Sequence, residues 1–85
     1  MHTFSKELQP TLSQKAREVR KDRKYSQEKM AQKLHIDTRS YSDLEHGRYC
    51  FSAPSLILME LMMTEVELLM FIRELGEVVR ELECV

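Results

Sequence analysis

The feature that most constrains this chain is a pair of helix starts only eleven residues apart, at Ser26 and Asp37. Ser26 can accept a backbone N–H from the turn that follows it, and Tyr25 just outside and Met30 inside stand at the spacing at which two apolar side chains staple a helix entry. Met30, Ala31 and Leu34 then recur at three- and four-residue steps, which places them on one helical face. Asp37 repeats the pattern, with Ile36 and Tyr41 as a second staple and with Tyr41 and Leu44 continuing the apolar face. Only two residues separate Leu34 from Asp37. The two helices must therefore cross sharply, and Ala31 is small enough to let their backbones approach.

Two capped helices with so short a junction make a helix-turn-helix. The alternative for the same residues is an ordinary helical hairpin in a small bundle. With 85 residues the chain forms one domain, able to bury about 60–65% of its unfolded surface, so a partner subunit would help it. Two glycines, two prolines and a 42% apolar share, with no alternating Val/Ile/Thr run, predict an all-α fold: a compact bundle of about five helices.

Residues 1–10 show little periodicity and are expected as a flexible N-terminal arm. Thr11 and Gln14 fit a capping box, and Leu12, Ala16 and Val19 share a face, so the first helix is placed at residues 12–23. Pro54 and Ser55 announce another helix, with Ser55 as cap, through residue 62. Residues 11–63 thus form the helix-turn-helix domain. Thr64 with Glu67 and Met63 with Leu68 start a last helix at Glu65, and residues 64–85 complete the core and are expected to dimerise. In that helix Leu68, Ile72, Leu75, Val79 and Leu82 step by four and three, a heptad-like seam longer than one small domain needs to cover. Leu69, Met70 and Phe71 widen it. The other reading is a helix that folds wholly onto its own domain. Gly76 weakens the helix by about 1 kcal/mol relative to alanine and could divide it in two.

Charge is distributed unevenly. Up to Cys50 there are eleven Lys and Arg against seven Asp and Glu (+4), and beyond it two against seven (−5). A basic half holding the motif and an acidic half holding the longest apolar run suggest nucleic-acid contact first and assembly second. Lys15, Arg17, Lys21, Arg23 and Lys24 make one face of the first helix densely basic, either as phosphate contacts or as a solvated surface. The two cysteines, Cys50 and Cys84, stand in a chain without a recognisable secretory segment and are expected reduced in a cytoplasmic setting. His46 and Cys50 are four apart, but no metal-ligand spacing surrounds them, so no metal and no cofactor are predicted. Glu60, Glu65, Glu67 and Arg73 interrupt the apolar run before membrane-spanning length. No catalytic constellation or small-molecule substrate site stands out, and the chain reads as no enzyme.

The segment SQEKMAQKL followed by HIDTRSYSDLEHGR resembles the phage repressor and Cro type of helix-turn-helix, the Xre-like transcriptional regulators, over about residues 12–66. The resemblance rests on Arg20, Gln27, Ala31 and the Leu44-Glu45-x-Gly47 ending. It implies a compact all-α domain whose second motif helix lies in the DNA major groove. Lys24 and His35 depart from the pattern, since they occupy turn positions where the family usually has glycine; each would cost about 1 kcal/mol if left-handed angles are kept.

The resemblance also assigns roles. Arg20, beside the apolar face at Val19, would pair with Glu45. Gln27 would meet a DNA phosphate, as would Ser40, Arg48 and, at the side of its helix, Lys29, which could also be only solubilising. With Tyr41 and Leu44 pointing inward, Thr38, Arg39, Ser42 and Asp43 face out as the base-reading set: Arg39 toward guanine, Thr38 toward a thymine methyl, Asp43 toward cytosine or restraining Arg39. The function implied is sequence-specific binding of double-stranded DNA as a transcriptional regulator, most simply a repressor acting as a homodimer on the nucleoid. The alternative is an antitoxin-like or anti-repressor module that captures a protein partner with its apolar last helix.

Overall fold

In the computed structural model, which describes residues 4–83 with the side chains of residues 4–6 excepted, five helices follow one another and no strand occurs among the described residues. They are α1 (Phe4–Asp22), α2 (Gln27–Lys33), α3 (Thr38–Glu45), α4 (Ala53–Leu61) and α5 (Glu65–Glu83). Ala16 and Val19 of α1, Met30 and Ala31 of α2, Leu34, Tyr41 of α3, Met59 of α4 and Phe71 of α5 form one buried cluster. Each helix thus gives at least one side chain to a single core, the arrangement expected when each helix is apolar on one stripe.

Three of the turns are built alike. At the end of α1, Tyr25 N–H donates to the Arg20 carbonyl (2.9 Å) and Lys24 N–H to that of Lys21 (3.0 Å). After α2, Ile36 N–H reaches Ala31 (3.1 Å) and His35 N–H reaches Gln32 (3.2 Å); after α3, Arg48 N–H reaches Asp43 (2.9 Å) and Gly47 N–H reaches Leu44 (3.1 Å). Each pair is the crossed hydrogen bonding of a Schellman stop, which needs a left-handed residue just past the helix. Those residues are Lys24 (φ 57°), His35 (φ 60°) and Gly47 (φ 76°). Only the third is glycine, so the departures at Lys24 and His35 leave the turn geometry intact and place two side chains in strained backbone. In two of the stops the residue that follows, Tyr25 or Ile36, packs against the core, which closes the turn from outside.

Two expectations need correction, and the course of α5, left open by its sequence, is defined. The first helix starts at Phe4 rather than at residue 12 and runs through Pro10; residues 4–10, expected as an arm, are helical, and residues 1–3 of that arm lie outside the described residues. Proline within a helix forfeits one backbone hydrogen bond and costs about 3 kcal/mol; beside it, Gln9 donates to the Gly47 carbonyl just past α3. The fourth helix is capped by Ser52, whose hydroxyl accepts from Ser55 N–H (3.3 Å). Ser55, expected as the cap, is buried one turn inside. The last helix is continuous through Gly76, whose helix position leaves room for a Cβ limited only by the Arg80 guanidinium at 3.4 Å. Finally, α5 turns Phe71 into the core with Leu75 packed beside it, and of the five seam residues only Ile72 is more than half exposed. Leu68, Val79 and Leu82 are half-buried. The inward face is thus rotated toward the expected seam, and the outward apolar face is a different one. Cys84 lies outside the described residues.

Candidate nucleic-acid interface

α2 and α3 meet where Ala31, 1% exposed, lets the backbones approach. Ser26 caps α2 by accepting from Lys29 N–H (3.0 Å). Asp37 stands at the start of α3 in extended conformation without closing a full capping bond, yet the Ser40 hydroxyl beside it holds its carboxyl below the ordinary range. The first turn of α3 is thereby turned outward, with Thr38, Arg39 and Ser40 all exposed and Tyr41 fully buried behind them.

Beneath that turn lies a charged knot. The Arg20 guanidinium makes a two-pronged contact with the Glu45 carboxylate, Nε to Oε2 at 2.8 Å and Nη2 to Oε1 at 2.9 Å, and its Nη1 donates to the Tyr25 carbonyl (3.1 Å). Tyr41 hydroxyl and Gln27 Nε2 (3.2 Å) also donate to the same carboxylate. Glu45 is 4% exposed. Burial would push its carboxyl up; hydrogen bonds from Arg20, Tyr41 and Gln27 outweigh burial and hold it at about 2. Burial, then the neighbouring carboxylate, pushes the Tyr41 phenol well above its usual value. A buried charge needs such complete pairing to persist. α1, α2 and α3 are therefore tied at one point, at the C-terminal end of α3, with Tyr41 reaching it from the turn that follows the exposed residues.

The other site residues divide. Gln27's amide, expected at a phosphate, is committed to Glu45, which leaves its backbone N–H at the start of α2. Asp43 pairs with Arg48 (2.9 Å) rather than with Arg39, and is itself partly buried. Ser42 is partly buried, with its hydroxyl 3.4 Å from His46 Nδ1, and the same ring nitrogen lies 2.7 Å from the Ser42 carbonyl. Lys29 is exposed. Of the basic face of α1, Lys15 turns toward Glu18 (3.0 Å) and the Phe71 ring (5.4 Å), and Arg23 donates to the Met62 carbonyl (2.7 Å) and to Glu67 (2.8 Å). Arg17 bonds the Glu45 carbonyl (3.3 Å). Of the five cations read as either phosphate contacts or a solvated surface, Lys15, Arg17 and Arg23 thus bond within the protein, Arg17 while remaining exposed, and Lys21 and Lys24 are exposed.

Sequence reasoning missed two groups. Thr64, Glu67 and Arg23 form a clamp in which Glu67 accepts from Thr64 N–H (2.8 Å) and its own N–H donates back to Thr64 Oγ1 (3.1 Å). The capping box was visible, but its tie to Arg23 was not, and that tie holds the Glu67 carboxyl at about 2. The second group is a row on α1, Gln9, Ser13 and Arg17, whose only trace in the sequence is their repeated four-residue step.

Among the described residues no group of three or more His, Cys, Asp or Glu is arranged to hold a metal ion, and no helix is long and apolar enough to cross a membrane. No curated protein matches the chain, and no solved structure does. A family model described as a helix-turn-helix domain matches residues 14–70, the span from the middle of α1 into α5. Helix-turn-helix domains are DNA-binding modules, and this chain belongs to the helix-turn-helix domain family.

Proposed function

We propose that the protein is a sequence-specific binder of double-stranded DNA of the Xre-like, repressor/Cro type, and that it acts as a repressor by occupying its site. The observation that carries this reading is the outward first turn of α3 above a rigidly tied base: Thr38, Arg39 and Ser40 exposed, with Tyr41 and Glu45 locked behind them. A helix end that carries an exposed arginine and two hydroxyls fits a major groove, where guanine offers paired acceptors and thymine a methyl group. Thr38, Arg39, Ser42 and Asp43 form the reading set, and the Asp43–Arg48 pair orders its far edge. Ser40, Arg48, Lys29 and the backbone N–H of Gln27 meet phosphates. The chain's net charge of −1 places more weight on these few contacts than on a general basic surface.

The protein binds as a homodimer on an inverted repeat. Val66, Leu69, Met70 and Ile72 on α5 and Ile57 and Leu61 on α4 are each more than half exposed, and exposed apolar side chains grouped on neighbouring helices mark interaction surfaces. They are the candidate dimer face, which shares Ile72 with the seam of Leu68, Ile72, Leu75, Val79 and Leu82. The same set also supports a second reading, an antitoxin-like module that captures another protein.

Selection of bound duplexes from a random pool at about 0.1 M salt tests the first reading. An enriched inverted repeat supports it, an unrepeated half-site removes the symmetric dimer, and no enrichment overturns DNA reading in favour of a protein partner.

A further inference from the structure

We propose that Gln9, Ser13 and Arg17 of α1 are positioning residues that set the pitch of α3 and thereby its alignment with the bases; the inference rests on the DNA-reading role of α3. The three lie four residues apart, on one face of α1, and Arg20 continues the row three residues further. Two of them donate to the last turn of α3 and the third to the stop just past it. Ser13 Oγ donates to the Leu44 carbonyl at 2.6 Å from a buried position, Arg17 Nη2 to the Glu45 carbonyl at 3.3 Å, and Gln9 Nε2 to the Gly47 carbonyl. Arg20 takes the Glu45 carboxylate.

A helix leaves its final carbonyls without intrahelical partners. Here a neighbouring helix adds donors at the Leu44 carbonyl, which also accepts from Gly47 N–H, and at the Glu45 carbonyl, and two of the side chains that reach this end are cations, which the negative end of the helix dipole favours. Gln9 and Ser13 hold backbone carbonyls alone, so their grip does not depend on which side chains α3 carries, while Arg17 also faces the Glu45 carboxylate, Nε to Oε1 at 3.7 Å. The mount and the reading surface are separable: residues at 38, 39, 42 and 43 can change what is read while α1 fixes where reading occurs.

The lever is long relative to the tolerance. Thr38 lies six residues from Leu44, about 9 Å along the helix, so a tilt of about 10° at the mount moves the reading end by roughly 1.5 Å. Productive geometry at such contacts is held within about 0.5 Å. Ser13 is the best-placed member, being 7% exposed and 2.6 Å from the carbonyl it holds.

The test uses the double variant Ser13→Ala/Arg17→Ala, with Arg17→Lys as the conservative control. Residual dipolar couplings of the free protein report the angle between α1 and α3, and competition binding reports the ratio of affinities for the selected duplex and a scrambled one. The double variant is expected to turn α3 by about 10° or more and to lower that ratio about tenfold, with affinity for scrambled DNA within about twofold of wild type. Arg17→Lys should keep both. An unchanged angle overturns the inference, and so does a loss shared equally by both duplexes, which would mark Arg17 as a phosphate contact. If the double variant does not fold, Gln9→Ala is read in the same two assays with the same criteria. If wild type selects no duplex, the DNA reading fails on its own and the α1–α3 angle alone decides the positioning role.

Discussion

Replacing the two left-handed side chains with glycine should stabilise this protein. Lys24 and His35 hold φ of 57° and 60°, a conformation that costs an L-residue roughly 1–2 kcal/mol and glycine almost nothing. Glycine also has more freedom to lose from the unfolded chain, about 0.5–1 kcal/mol, so the net gain is about 0.5–1 kcal/mol per site. Both side chains are exposed, and little packing is lost with them. The stops share no hydrogen bond, so the two gains should add. For a domain of this size 1 kcal/mol moves Tm by about 4–8 °C; Lys24→Gly/His35→Gly should therefore melt roughly 4–16 °C higher than wild type. Gly47→Ala is the mirror control. At φ 76° an added Cβ would find its nearest neighbours, Gln9 Nε2 and Ser13 Oγ, at 3.9 Å, an ordinary contact. Its cost is then backbone strain of about 1–2 kcal/mol less the roughly 0.5–1 kcal/mol that alanine recovers from the unfolded chain, a net loss of about 0.5–1 kcal/mol. Thermal melts followed by circular dichroism at neutral pH check all three. If both glycine variants melt at or below the wild-type temperature while Gly47→Ala is neutral, the left-handed stops do not carry the strain argued for them.

Other perturbations probe the knot and the outer face. Arg20→Met leaves a buried carboxylate without its main partner and should cost about 3–5 kcal/mol; melting no earlier than wild type would contradict a structural role. Glu45 has a folded pKa of about 2 against an ordinary 4.5, so its contribution is fully present above pH 4.5 and is lost as pH falls toward 2. Urea midpoints should fall across that window by an amount corresponding to about 3 kcal/mol, with the more exposed Glu67 adding less; a flat profile would refute the assignment. Leu69→Glu with Ile72→Glu should convert a dimer to a folded monomer in sedimentation, and an unchanged dimer would place the interface elsewhere.

What could be read from the sequence was what local chemistry enforces. Ser26 and Asp37 start helices because staples at Tyr25/Met30 and Ile36/Tyr41 flank them, and the two-residue junction leaves one way for α2 and α3 to cross. The stops at Lys24 and His35 came from resemblance alone, since neither residue favours a left-handed turn. So did the pairing of Arg20 with Glu45, 25 residues apart. The first half of α1 was hidden because Pro10 reads locally as a boundary, and its bonds are with carbonyls at residues 44–47, which leave no side-chain pattern. Ser55 reads as the cap of α4 because Pro54 stands just before it, but the cap is Ser52, which puts Pro54 in the first turn and buries Ser55. In α5 the apolar residues cover more than half the circumference, so periodicity alone could not say whether Phe71 or Leu68 with Ile72 faces inward. The core, closed by one aromatic ring, made that choice.

The central claim is that the outward turn of α3 reads bases, and Arg39 tests it most directly. On the selected duplex, wild type and Arg39→Ala would be compared by competition against every single-base variant. The account predicts that the mutation removes about 1–3 kcal/mol of discrimination at one base pair in each half-site and leaves the other positions unchanged. A uniform loss over all variants, or none, would contradict it.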